Sequence, residues 1–398
     1  MSGLQEAPSS PYYKKTLTLH TGRSPVNLMV AHDLFSSQAV DAGSRMLLRS
    51  LMEETDPESI LDVGCGYGPL GLGLKARYPA ARVDMIDRDA LAVQFASGNA
   101  ALNRMPDVAT YGSVGYDGID PDRRFDLVVC NVPGKAGNPV IEDLLIGAAD
   151  LLQKGGKVAV VVVSALLDEV SRVLQQAEAD VLFRQVSKAH AVFQYSLGSR
   201  SDAGRSVLPN AYERHRARFS RASISWDAVS VWGLPEFDSL SFQTALVIDR
   251  IVNSQPKRPR TLVLNPGQGH VPVAIALQSK PREIVLVGRD LLALQTSLAN
   301  LSRNDFSPDR VRLHHDAGFD VRGGPFDLVV AALPDKLSTG IIAETVSSLA
   351  AHVAGGGSLI LGGRSTAVTR VLGSNVLDGF ELRERSRSHG FTAARLRK

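Results

Sequence analysis

From Ser59 onward, short apolar runs alternate with longer stretches of helical spacing. "SILDVG" is a brief apolar run closed by glycine, and "GPLGLGLKARY" continues as a helix. "ARVDMID" predicts the next strand, "RDALAVQFASGNAALN" a helix, "FDLVVCN" another strand, and "NPVIEDLLIGAADLL" a helix stopped by "KGG" before the strand "KVAVVVV". Strands separated by helices of about 10 to 15 residues imply right-handed βαβ crossovers and a mostly parallel sheet. The last two apolar runs, "VLFRQVS" and "AVFQYSL", are close enough to form a hairpin. The pattern therefore predicts a doubly wound α/β sheet with its ligand at the carboxyl ends of the strands.

The pattern occurs twice. A shift of 201 residues superimposes the two halves without a gap across residues 60 to 159. Leu61, Gly66, Gly68, Asp89, Asn99, Asn103, Asp126, Pro133, Lys135 and Gly156 fall on Leu262, Gly267, Gly269, Asp290, Asn300, Asn304, Asp327, Pro334, Lys336 and Gly357. A period this long means duplicated domains rather than a solenoid. The division is expected near residues 199 to 208, in the polar, turn-rich "SRSDAGRSVL", giving domains 1–200 and 201–398. Two domains also suit a chain of 398 residues, which is too long for one compact core.

Composition narrows the setting. The longest apolar run, "VAVVVVSALL" from Val158, has ten residues, well short of the roughly 20 that a membrane span requires. "MSGLQEAPSSPYYKK" offers no stretch for a signal peptide. Cys65 and Cys130 lie far apart with no Cys/His cluster nearby, so neither a disulfide framework nor a metal site is expected. These features point to a reduced, cytoplasmic protein. The net charge of +3 decides nothing about partners.

The first glycine loop carries the chemistry. Asp62 is followed by Gly64, Gly66 and Gly68, with Cys65 between them. Glycines let backbone approach a ligand closely, and a helix N-terminus offers amide donors. The next strand ends at Asp87, beside Arg88, where a carboxylate can accept both hydroxyls of a ribose. Gly66-x-Gly68-x-x-Gly71, with an acid 21 residues after Gly66, also satisfies the dinucleotide fingerprint. Two features favour S-adenosylmethionine over NAD. Asp62 suits a methionine ammonium group and would repel a pyrophosphate. Asn131, opening "NVPGKAG", could hold an amino group against a sulfonium methyl.

On these residues the first copy resembles class I methyltransferases. Within that class it resembles the ribosomal RNA guanine-N2 methyltransferases and their single-domain archaeal relatives. "LFSSQAVDAGSRMLL" is similar to the Phe-Ser…Asp-x-Gly-Ser/Thr segment preceding the catalytic fold in that group, and "LDVGCGYGPLG" and "NVPGKAG" to its cofactor loop and Asn-Pro-Pro motif. The resemblance covers about residues 12 to 198 and implies two tandem Rossmann-like domains. It implies cofactor contacts from Asp62, Gly64, Cys65, Gly66, Gly68, Asp87, Arg88 and Asn131. It also implies a catalytic Asn131-Val132-Pro133 whose acceptors orient an exocyclic amine, and RNA contacts from Ser36 and Lys135. Three departures stand out. The motif at 131 lacks its middle proline and any aromatic, and Val114 replaces the acid expected after the third strand. The degenerate copy comes second, where bacterial members are expected to place it first.

In the second copy Asp62 becomes Val263, Gly64 becomes Asn265, Asp87 becomes Gly288 and Asn131 becomes Ala332. Each replacement deletes an expected ligand contact, so the fold is kept without the site. Ahead of it, residues 200 to 221 hold six Arg against Asp202 and Glu213. A strand there would align Arg214, Arg216 and Arg218 on one face, as phosphate contacts or equally as charges protecting a sheet edge. Lys14, Lys15 and His20 occupy the matching stretch of the first copy. Two further functions stay open. One is methylation of a small metabolite or of a protein glutamine amide, which the missing aromatic favours. The other is a non-catalytic RNA- or protein-binding module.

Overall fold

The computed structural model describes residues 10–21, 24–51, 56–198, 210–254, 258–317, 323–334 and 338–398, so the expected division near 199 to 208 lies outside the described residues. The chain forms two compact units, Met1–Arg205 and Ser206–Lys398. The first runs β1 (Tyr13–His20), β2 (Pro25–Ala31), α1 (Ala42–Ser50), β3 (Ser59–Val63), α2 (Pro69–Arg77), β4 (Arg82–Asp87), α3 (Ala90–Leu102), β5 (Val108–Gly112), β6 (Phe125–Asn131), α4 (Asn138–Ile146), β7 (Leu152–Val163), α5 (Leu167–Gln176), β8 (Asp180–Val186) and β9 (His190–Ser196). Its main sheet has seven strands in the order β5-β4-β3-β6-β7-β9-β8. All neighbours from β5 to β7 are parallel, and β9 runs antiparallel to both β7 and β8.

The chain leaves β3 towards β4 and β5, then returns to add β6 on the other side of β3. That reversal opens a crevice at the carboxyl ends of β3 and β6. Both strands are buried on two faces, as helix-covered parallel strands must be: Ile60, Leu61, Val128 and Val129 are fully buried. α2 begins where Gly68 adopts φ +91° and Pro69 supplies the first helical turn.

The second unit repeats the plan. Its elements are β10 (Glu213–Arg221), β11 (Ile224–Val231), α6 (Phe242–Ser254), β12 (Arg260–Leu264), α7 (His270–Ser279), β13 (Glu283–Gly288), α8 (Leu291–Arg303), β14 (Val311–His315), β15 (Phe326–Ala332), α9 (Thr339–Ala351), β16 (Val353–Arg364), α10 (Ser365–Leu372), β17 (Glu381–Ser388) and β18 (Phe391–Arg397). The seven-stranded order β14-β13-β12-β15-β16-β18-β17 matches the first unit strand for strand.

Two features depart from the sequence pattern. "KGG" does not separate helix from strand: α4 ends at Ile146, and β7 already runs from Leu152 through the glycines. There the β6–β7 register shifts, Gly155 has φ +81°, and a Cβ on Gly156 would sit 2.7 Å from the Phe125 carbonyl. The pair therefore forms a bulge that only glycine accommodates. Each unit also opens with a separate two-stranded hairpin, β1–β2 or β10–β11. Asparagines at the 201-residue spacing explain how it is held. Buried Asn99 accepts the Met29 N–H (2.7 Å) and donates to the carbonyls of Met29 and Tyr67 (2.9 Å each). Asn300 repeats all three contacts on Val229 and Gln268 (2.7–2.8 Å). The asparagines shared by both copies are thus structural, joining hairpin, glycine loop and helix. Among the described residues, no helix is long and apolar enough to cross a membrane.

Candidate active site

β3 delivers Asp62 and the glycine loop, β4 delivers Asp87, and β6 delivers Asn131 to one end of the sheet. Gly64 and Cys65 donate their N–H groups to the Ile86 carbonyl at 2.9 Å, which folds the loop over the end of β4. Gly64 and Gly66 have φ +69° and +56°, and beyond their chain neighbours no atom lies within 4 Å of where a Cβ would stand on either. The loop is therefore an open cradle of backbone beside a helix N-terminus. Gly71 serves packing instead: a Cβ there would lie 2.7 Å from Met85 Sδ.

Two carboxylates stand at this end of the sheet, Asp87 partly exposed and Asp62 sealed. Asp87 accepts Gly66 N–H through Oδ2 and Asp89 N–H through Oδ1, both at 2.9 Å, so its plane is fixed by the loop it faces. Burial raises its pKa, against the lowering effect of those two N–H groups and the nearby Arg88 charge. Asp62 is wholly buried. Its Oδ2 accepts Gly71 N–H at 2.8 Å, while Oδ1 has no partner. Burial pushes its pKa up to about 7, opposed by the Gly71 N–H and reinforced by the Asp87 charge. A buried carboxylate oxygen without a donor is costly. The open glycine cradle with Asp87 facing it fits a nucleoside such as that of S-adenosylmethionine. Cys65 and Cys130 are buried free thiols whose pKa values burial pushes well up, so neither is a poised nucleophile.

Asn131 donates both hydrogens of Nδ2, to Asp41 Oδ2 (3.0 Å) and to Ser44 Oγ (2.9 Å). Val132 is buried and donates its N–H to the Val161 carbonyl, and the Pro133 carbonyl accepts Ala136 N–H at 3.1 Å. Of the two carbonyls expected to orient an amine, Pro133's is thus engaged in a turn. Lys135 is exposed. The hydroxyl of Ser36 donates to the nearby Ala39 carbonyl (2.8 Å), and Tyr67 of the glycine loop donates to the Ser36 carbonyl (3.4 Å). Asp41, Ser44 and Tyr67 went unassigned in the sequence, although "DAGS" was visible as a motif. They tie the segment before α1 to the ends of β3 and β6. Val114 is buried, as an apolar residue at that position must be.

In the second unit, side chains at the corresponding positions bond to the protein's own backbone. Asn265, at φ +53° in the place of Gly64, donates from Nδ2 to the Ala332 carbonyl at 3.0 Å, spanning from β12 to β15. Gln268 bonds both backbone groups of Val231 and the Leu234 carbonyl. Gln243 donates to the carbonyls of Leu333 and Gly362. Buried His270 accepts from Trp226 Nε1 at 3.1 Å, and burial lowers its pKa. The Arg row does lie on a strand, β10, yet it is not three free cations. Arg214 stacks on Phe237, Arg216 pairs with Glu213, and Arg218 lies 4.0 Å from Asp227.

Residues 25–193 match the methyltransferase small domain. The uncharacterized protein YbxB of Bacillus subtilis is 32% identical over 157 residues, which cover 39% of this chain and 78% of that protein. The chain belongs to the methyltransferase small domain family. It is a class I S-adenosylmethionine-dependent methyltransferase. The ribosomal RNA small subunit methyltransferase C of Stutzerimonas stutzeri is 31% identical over 166 residues, covering 40% of this chain and 48% of that one. The chain spans less than half the length of that relative and of the ribosomal RNA large subunit methyltransferase G proteins it matches. The Thermus thermophilus 16S rRNA N2 G1207 methyltransferase, solved with AdoMet and guanosine, superimposes with a TM-score of 0.68 at 15% identity. That match covers 97% of this chain and 99% of the other, so each unit has a counterpart there.

Proposed function

We propose that the first unit transfers a methyl group to the exocyclic amine of a guanine in ribosomal RNA, and that the second unit has no cofactor site of its own. The observation that carries this reading is the open glycine cradle facing Asp87, with Asn131 at the end of the neighbouring strand. When bound, S-adenosylmethionine supplies an already activated methyl group on sulfur. Asp62, Asp87 and the Gly64–Gly68 backbone hold it, while Asn131 Oδ1 and the Val132 carbonyl accept the amine hydrogens and turn its lone pair inward. Alignment of this kind contributes about 7–11 kcal/mol in a well-held pair. Neither a covalent enzyme intermediate nor an activated thiol is needed. A base inside a helix must first be flipped out, at a cost of a few kcal/mol.

The relatives named for ribosomal RNA support RNA as the acceptor, and the two buried thiols suit a reducing cytoplasm. A flipped base also needs a stacking surface, which the 131–134 motif lacks. Phe35, 74% exposed on the segment that Tyr67 and Asn131 tether, offers one. Lys135 and Arg218 are exposed cations suited to phosphate. A second reading, a small metabolite or a protein glutamine amide as acceptor, draws on the missing aromatic. Labelled S-adenosylmethionine incubated with unmethylated ribosomal RNA, metabolite extract and ribosomal protein separates them. Label in guanine supports the RNA reading; label only in metabolite or protein overturns it.

A further inference from the structure

Asn131 can act on an amine only if its oxygen, rather than its nitrogen, faces the acceptor. The two ends of an amide are nearly the same shape, so its surroundings must choose between them. Ser44 Oγ lies 2.9 Å from Asn131 Nδ2, but a hydroxyl can donate or accept and would tolerate either orientation. Asp41 cannot. Its Oδ2 already accepts the Ser44 N–H at 3.0 Å, and the same oxygen accepts Asn131 Nδ2 at 3.0 Å. A carboxylate oxygen opposite the amide oxygen would repel it, so the nitrogen is held inward and Oδ1 is turned the other way.

We propose that Asp41 is a positioning residue that sets the orientation of the Asn131 amide; this rests on the role given to Asn131 above. Capping α1 does not by itself call for a carboxylate. In the second unit Ser241 precedes α6 as Asp41 precedes α1, and its hydroxyl accepts Thr244 N–H at 3.1 Å. There the asparagine has become Ala332, and the carboxylate has gone with it. Close approach is also built in. A Cβ on Gly43 would lie 2.9 Å from both Asp41 Oδ2 and His190 Cδ2, so the residue between cap and Ser44 must be small. The second unit places Gln243 there, with its side chain across the strand ends.

The test compares Asp41→Ser, Asp41→Asn, Ser44→Ala and Asn131→Ala with the wild-type chain. Asp41→Ser keeps a cap and should leave thermal stability unchanged and S-adenosylmethionine affinity within about threefold, while lowering kcat roughly tenfold to a hundredfold. Asp41→Asn should recover most of that loss, because Ser44 N–H holds its amide oxygen where Oδ2 now sits. Ser44→Ala should lose less than Asp41→Ser. In protein labelled with 15N at asparagine, the Asn131 side-chain amide should exchange slowly in the wild type and faster in Asp41→Ser. Wild-type turnover in Asp41→Ser beside an inactive Asn131→Ala would overturn the proposal. If the wild type transfers nothing to RNA, the proposed acceptor is wrong. The amide measurement needs no acceptor and still decides the positioning: unchanged exchange in Asp41→Ser refutes it.

Discussion

Replacing Asp62 by asparagine should stabilise the cofactor-free first unit at pH 8 and weaken its hold on S-adenosylmethionine. The carboxyl is fully buried with one oxygen unpartnered, and its pKa stands at about 7, against about 3.9 for an unfolded chain. The folded state therefore binds this proton more tightly than the unfolded state. Below about pH 4 both states are protonated and the group contributes no difference. Between about pH 4 and 7 stability falls as pH rises, and above about 7 the full cost is present. Three pH units correspond to about 4 kcal/mol, an upper figure for a buried group. The amide introduced by Asp62→Asn would still accept Gly71 N–H and would carry no charge into the core. Urea unfolding at pH 5, 6.5 and 8, read by hydrogen exchange of peptides spanning β3 and α2, measures the effect. Both Trp residues lie in the second unit, at 226 and 232, so their fluorescence would report on the wrong half. The gain should be a few kcal/mol at pH 8 and should shrink towards pH 5. In the wild type, cofactor affinity should weaken roughly tenfold from pH 8 to pH 6, as protonation of Asp62 competes with the ammonium group. Equal stability of the Asp62→Asn and wild-type chains at pH 8, or a gain that does not shrink towards pH 5, would refute the reasoning.

Asn131→Ala should lower turnover at least tenfold while S-adenosylmethionine affinity, measured by calorimetry, stays within a few fold. Asn99→Ala strips partners from three backbone groups and should cost about 3 kcal/mol in urea unfolding of the first unit, with Asn300→Ala doing the same in the second. Reversing Arg216 and Arg218 to glutamate should weaken RNA binding and flatten its dependence on salt. Cofactor affinity should not move. Because Arg216 is already paired with Glu213, Arg218→Glu alone should account for most of the change.

The sheet was legible because buried parallel strands leave continuous apolar runs, and "SILDVG", "ARVDMID" and "FDLVVCN" each became one. The glycine loop was legible for a related reason: alternate glycines after an apolar run have few uses besides close backbone approach. What stayed hidden depended on partners distant in sequence. Asp41 went unassigned in the sequence, and only the fold brings it to Asn131, ninety residues on. The row at Arg214 to Arg218 showed its periodicity but not its neighbours, so the stacking of Arg214 on Phe237 was invisible. In the second copy the losses at Val263, Asn265 and Gly288 were plain. The bonds made by Asn265, Gln268 and Gln243 were not, since each ends on a backbone group that any residue could supply.

That one copy keeps the site and the other has closed it is most directly tested by counting bound cofactors. In the first unit Gly64 and Gly66 leave the cradle open and Asp87 faces it. In the second, Asn265 crosses the same space and Gly288 offers no carboxylate. Losing two ionic hydrogen bonds of about 1.5–3 kcal/mol each weakens binding by a few hundred-fold or more. Calorimetric titration of the full chain with S-adenosylmethionine should give one equivalent, falling to none in Asp87→Ala and staying at one in Asn265→Ala. Two equivalents per chain, or one equivalent that survives Asp87→Ala, would contradict the account.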